Sequence, residues 1–182
     1  MTRFRRQDFY VLFVGIIISI SAHLLFIDWA EFIPCLQEKG ECWPPTGIDR
    51  LASLYEKNLR SDFFSGFLAV GAFLLSLKTF IVMTMKTNVY DTEEYERRWI
   101  KNKSHDEKGT GLRYKGLKEL NDCMFNSIFF TLSAAIAQVT IGIAGGITFT
   151  LIALTLCTIS ICYLIYCLIL VKINLNAIIP ES

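Results

Sequence analysis

The chain has 182 residues, 53% of them apolar, and a formal net charge of +1. An apolar excess of this size, with the charges gathered into a few segments, is the profile of an integral membrane protein. The length leaves room for one membrane domain and short loops and excludes a separate soluble catalytic domain, while the near-zero net charge hides a strong segregation along the chain.

The first element is a 19-residue run, Phe9 to Ile27, without formal charge and preceded by Arg3, Arg5 and Arg6. It is about the length a helix needs to cross roughly 30 Å of hydrocarbon. A secretory leader is the competing assignment, but the apolar run is long for that role and Ser19 and Ser21 make a poor cleavage site, so a retained span is expected over about 9–28.

The outer loop, 29–62, contains "CLQEKGECWPP", in which Cys35 and Cys42 flank a glycine-bearing turn. On an oxidising face of the membrane this spacing suits a small disulfide-closed loop. Further on, Ile48, Leu51, Leu54, Tyr55 and Leu59 recur at helical period among Asp49, Arg50, Glu56, Lys57 and Arg60. That pattern predicts a short amphipathic helix lying on the outer membrane face or capping the bundle.

A second span is expected over 63–85, with Lys78 as its one charge. An intramembrane lysine is a functional candidate, and because helical side chains lean toward their own N-terminus, snorkelling to the near interface is hindered. Counting turns sets Lys78 level with Thr131 and with Tyr163 or Tyr166 as receiving groups.

The loop 86–122 reads "DTEEYERRWIKNKSHDEKGTGLRYKGLKEL" at its centre, with Asp91, Glu93, Glu94 and Glu96 before Arg97, Arg98, Lys101 and Lys103. Thr92 is placed to cap a short helix, with carboxylates favoured in its first turn and bases in its last. After the Gly109 and Gly111 break, Tyr114 to Leu120 is expected to run helically into the third span. Arginine mixed with tryptophan and tyrosine is also the composition of protein-binding hot spots. Tyr95, Arg97, Arg98, Trp99, Lys101, Lys103, Arg113 and Tyr114 are therefore the candidate surface for a cytoplasmic partner.

Between Asp122 and Lys172 lie 49 residues without charge, about 73 Å as one helix. The run must fold back, and "GIAGG" at Gly142, Gly145 and Gly146 marks the turn, which gives spans of about 123–143 and 147–171. Ser127, Thr131, Ala134, Gln138 and Gly142 fall on one face of the third span, and Thr148, Thr155, Thr158 and Cys162 on one face of the fourth. Small and hydroxyl- or amide-bearing residues are how membrane helices associate, within one chain, between copies or around a pore. Cys123, Cys157, Cys162 and Cys167 are expected buried and reduced, and no metal-ligand spacing accompanies them.

Lysine and arginine counts set the orientation: three in the N-terminal tail, nine over 86–122 and one after the last span, against four in the outer loop. Both termini and the 86–122 loop are therefore expected in the cytoplasm, across a bacterial inner membrane. The fold class read from the sequence is an all-α integral membrane protein of four transmembrane helices, with a short outer-loop helix and a partly helical cytoplasmic loop. No catalytic triad, phosphate loop, cofactor or metal site is expected.

Two resemblances bear on function. Arg98 and His105 match the arginine-to-histidine spacing of the HEPN ribonuclease superfamily, in which the histidine would act as acid or base in strand cleavage, although Trp99 stands where that family usually has a polar residue. In length, four helices, internal termini and one substantial cytoplasmic loop, the chain resembles the membrane subunits of Kiwa bacterial anti-phage systems. That resemblance implies a non-enzymatic, homo-oligomeric inner-membrane sensor bound to a cytoplasmic DNA-binding effector, with no direct nucleic-acid contact of its own. In the same outline the chain is similar to small membrane accessory proteins of RNA-targeting CRISPR systems. An oligomeric pore that depolarises the cell is the alternative expectation, and a ribonuclease using Arg98 and His105 the third.

Overall fold

The computed structural model describes residues 6–37, 45, 47–106 and 111–178. Among them the chain is helical throughout its regular structure: α1 Arg6–Leu25, α2 Trp29–Gln37, α3 Ile48–Leu54, α4 Arg60–Met85, α5 Glu93–His105, α6 Lys115–Val139 and α7 Ile147–Ile178, with five-residue π turns at Tyr55–Leu59 and Lys86–Tyr90. Four helical stretches are long and apolar enough to cross a membrane, Gln7–Leu25, Ile48–Tyr90, Lys115–Val139 and Ile147–Asn174, as the run lengths predict.

The spans pack antiparallel in the spatial order α1, α7, α6, α4. Ser19 bonds Thr155 while Tyr163 bonds the Asp8 carbonyl, which sets α1 against α7. Ser127 bonds the Tyr163 carbonyl and Gln138 bonds the Cys157 sulfur, setting α6 against α7. Tyr55 bonds Gln138 while Lys78 lies over Phe125, setting α4 against α6. With the turns alternating, Gln7 of α1, the described C-terminal part of α7 and all of α5 lie at one end of the body, since Tyr166 bonds Gln7 and Asn174 lies beside Gly116.

Helix α6 is the centre. Its buried face carries Ser127, Thr131, Ala134 and Gln138 of the stripe read from periodicity, joined by Asn126 and Ala135, while Gly142 lies beyond the helix end. In an apolar surrounding each polar group needs a partner, because an unsatisfied one costs several kcal/mol in hydrocarbon, on the order of 2–7. Gln138 receives the Tyr55 hydroxyl at 2.5 Å and donates to the Ala134 carbonyl at 3.0 Å and to Cys157 at 3.2 Å. Thr131 donates to the Ser127 carbonyl and accepts from Ser160, and Asn126 donates to the Asp8 carboxylate at 3.1 Å. Among the described residues no buried side-chain nitrogen or oxygen lacks a hydrogen bond. The α6 stripe is thus satisfied within the single chain.

Several expectations need correction. The amphipathic segment from Ile48 is helical as its period predicts, but it does not stand apart from the second span: it continues through the π turn into α4 as one helical stretch, Ile48–Tyr90. No glycine or proline interrupts 48–65, so nothing stops the backbone, and Ile48, Leu51 and Tyr55 are buried while Leu54 stays exposed. The third span is entered helically from Lys115, as expected of the Tyr114 to Leu120 segment, but it ends at Val139 rather than near 143. The reversal then occupies 140–146, where Gly145 and Gly146 take φ of 72° and 93°, a region that side-chain-bearing residues avoid.

Lys78 meets neither Thr131, Tyr163 nor Tyr166. Gly71 is the α4 residue level with Thr131, so Lys78, two turns on, reaches Phe125, with its ammonium 5.0 Å from the ring centre. Tyr163 and Tyr166 sit on the far side of α6 and bond the Asp8 carbonyl and Gln7. Cys123, Cys157, Cys162 and Cys167 are free thiols, three of them buried. Cys35 is disulfide-bonded; Cys42, with which the sequence pairs it, lies outside the described residues.

The Tyr55–Gln138 bond can be weighed directly. Tyr55→Phe and Gln138→Leu, each leaving a buried group unpaired, are expected to lower unfolding free energy in micelles by about 1–2 kcal/mol apiece. The double variant should lose less than the two combined, and strict additivity in the thermodynamic cycle would show that the bond contributes nothing.

Candidate functional site

The segment between α4 and α6 is the largest piece outside the spans, and its sequence builds a small, cross-braced unit. The second π turn bonds Asp91 N–H back to the Lys86 carbonyl at 2.9 Å, and Thr92, in extended conformation, caps α5 by accepting the Tyr95 N–H. Glu93, Glu94 and Glu96 occupy the first turn of α5, and Lys103 and His105 the last, the charge order that suits a helix dipole.

Four of the residues named from the sequence turn inward onto this unit. Tyr95 donates its hydroxyl to the Arg113 carbonyl at 3.3 Å, and Trp99 its indole N–H to the Gly111 carbonyl at 3.1 Å. Arg113 sends Nε and Nη2 to the Tyr90 carbonyl at 3.1 and 2.8 Å, and Nη1 to Glu96 at 3.4 Å. Tyr114 donates to Asp91 at 2.8 Å. The Tyr90 ring, buried among Leu117, Leu120 and Met85, stands 4.8 Å from the Tyr95 ring and 6.1 Å from that of Tyr114. A Cβ at Gly116 would come within 2.7 Å of the Tyr90 hydroxyl, so any larger residue there would have to displace the Tyr90 ring.

These contacts form a latch that fastens α5 to the first turn of α6. Burial pushes the Tyr95 phenol up from its ordinary value, against the opposing charge of Arg113, and the bond to Asp91 raises that of Tyr114. Both remain hydrogen-bond donors at neutral pH.

The other named residues face solvent. Arg97 pairs with Glu93 at 3.3 Å and Arg98 with Glu94, exposed pairs one helical turn apart that contribute little to stability. Lys101 and Ile100 are exposed, and Lys103 lies over the Trp99 ring at 4.7 Å. At 3.6 residues per turn, Arg97 and Lys101 lie on the face of α5 opposite Tyr95, Trp99 and Lys103, and Ile100 stands at the edge between the two faces, beside Trp99 and Lys103. Arg98 and His105, seven residues apart on α5, are both exposed, separated by about 10 Å of helix rise.

Sequence reasoning missed Ile100 as an exposed apolar residue among the bases, and it missed Tyr90 and Asp8. Asp8 is 6% exposed, and its place beside three arginines gave no sign of a buried partner. A cavity of about 630 Å³ lies between the π turn, α5 and 111–116, reached by Asn88, Arg98, Trp99 and Lys115. No group of three or more metal-ligating side chains occurs among the described residues. No family, characterised protein or solved structure matches this chain.

Arg113→Ala removes the side chain that spans Tyr90 and Glu96. Amide hydrogen exchange in α5 should then quicken at least tenfold, about 1.4 kcal/mol of local stability, with α6 beyond Leu120 unaffected. Unchanged exchange would mean that α5 is not held through Arg113.

Proposed function

We propose that the protein is a non-enzymatic sensor or scaffold of a bacterial inner membrane, with the α5 side in the cytoplasm, that holds a cytoplasmic effector on the outward face of α5. The observation that carries this reading is the division of α5. Its aromatic face is spent on the latch, so the helix is fixed in orientation, while Arg97 and Lys101 on the opposite face and Ile100 at its edge are exposed. A fixed helix presenting an apolar residue between bases loses little conformational freedom on docking.

The nine bases over 86–122 against four in the outer loop support a cytoplasmic placing of α5. Self-association belongs to the same reading: Phe73, Phe80 and Met83 of α4 are uncovered within the protomer and face lipid or a second copy. A place in anti-phage defence rests on the resemblance of outline to the Kiwa membrane subunits, in which a membrane disturbance would pass to the bound effector.

Purification of tagged protein from native membranes should recover an effector with the parent chain and lose most of it with the triple variant R97E, I100D and K101E. None of the three side chains bonds into the latch, so helicity and micellar stability should be unchanged. Equal recovery from the folded variant would sink the docking reading.

A further inference from the structure

A second cleft, of about 650 Å³, opens on the latch side of α5, between Trp99 and Lys103 and the first two turns of α6. Leu112 on its rim is 84% exposed, and Lys115 and Lys118 line its α6 wall. The depth of this cleft follows from α6 itself. Asp122 is the last charge before the uncharged run, and Lys118 and Lys115 stand about 6 and 10 Å further out along the axis. A polar headgroup layer is roughly 5–8 Å thick on each side of the hydrocarbon. Lysine side chains lean toward their helix N-terminus, so Lys118 leaves the helix within the head-group layer and Lys115 just beyond its outer edge, from where its flexible stem can still reach a head group.

The chemistry of the walls matches that level. The Trp99 N–H is already bonded to the Gly111 carbonyl, which leaves its ring with Lys103 above it. Leu112 is apolar and largely uncovered. Glu119 and Asp122 line the deeper part of the cleft and are engaged in interactions of their own, and Arg113 is paired with Glu96. Three lysines remain toward the mouth.

We propose that this cleft binds the head group of an anionic phospholipid, with Lys103, Lys115 and Lys118 on the phosphate and Trp99 and Leu112 against the glycerol and the upper acyl chain. An aromatic ring and an exposed leucine fit the interface between head group and chain, and clustered lysines beside a span attract anionic lipid. The site does not depend on the effector-docking reading, because the two use different side chains of α5.

The test uses the full chain in nanodiscs, with Trp99 as its only tryptophan through W29F and W43F. Acyl-brominated phosphatidylglycerol is expected to quench Trp99 at least threefold more than acyl-brominated phosphatidylcholine at equal mole fraction. K103Q, K115Q and K118Q together should bring the ratio near one, and K101Q on the opposite face should leave it intact. Raising salt to about 1 M, where the Debye length is about 3 Å, should also collapse the ratio in the parent, so the result stands even if the triple variant misfolds. Equal quenching by the two lipids in the parent, or a preference that survives both high salt and the triple exchange, would overturn the proposal. So would quenching by aqueous iodide and by neither lipid, which would put the cleft in open solvent and within reach of a protein. Recovery of an effector by the R97E, I100D and K101E variant is read separately, so either idea fails without the other.

Discussion

The arrangement of the spans depends on one constraint: α6 carries an amide and hydroxyls into the interior and each must be bonded there. Lipid offers no partner, and apolar side chains gain nothing by leaving lipid for each other. Directional bonds therefore set the register. Gln138 draws Tyr55 from one neighbour and Cys157 from the other, so α4 and α7 are fixed on opposite sides of α6 at the same level. Ser127 and Thr131 repeat this toward the other end through the Tyr163 carbonyl and Ser160. Asn126 then reaches past α7 to Asp8, joining α1 to the centre.

The same constraint explains the two π turns. Each lies at an end of α4 and each places a buried tyrosine against α6, Tyr55 at the glycine-turn end and Tyr90 at the α5 end. The extra residue of a π turn rotates the helix locally, and such turns frequently mark positions where a side chain must be re-aimed. Along the middle of α4 the contacts are of another kind, with Gly71 against Leu132 and Phe67 against Ala134 and Ala135. Close packing there and polar fastening at the ends hold a helix whose central stretch is otherwise mostly exposed to lipid.

Much of this was legible in the sequence. Uncharged run length gave the number of spans, because hydrocarbon thickness is a hard length scale; Thr92 with its following carboxylates gave the start of α5; and the three- and four-residue spacing of Ser127, Thr131 and Gln138 gave the buried face of α6. What periodicity could not give was partner identity. It assigns Lys78 to a face and a level, but the level of its neighbour depends on how α4 is staggered against α6, and that is set by the bond from Gln138 to Tyr55, which lies in the π turn ahead of α4, 23 residues before Lys78. The continuity of 48–90 was hidden for a different reason: charges between the apolar positions of 48–60 read as a separate amphipathic helix, although no residue between it and the second span breaks the backbone.

The candidate site was legible in composition and opaque in arrangement. Bases and aromatics between Tyr95 and Tyr114 read as one mixed surface, whereas the helix separates them into an inward aromatic face and an outward basic one. The reason the inward face escaped notice lies in its acceptors. Tyr95, Trp99 and Arg113 all end on main-chain carbonyls, those of Arg113, Gly111 and Tyr90, and a carbonyl has no signature in the amino-acid sequence. Only Tyr114 with Asp91 and Arg113 with Glu96 are side-chain pairs. A latch built mainly on backbone acceptors depends on where the chain turns, at the π turn and at 111–114, so it becomes visible only once those turns are placed. Trp99 then needs no partner to explain its indole N–H, and what remains to be accounted for is the ring face and Leu112 beside it, both on the side where α6 enters the membrane.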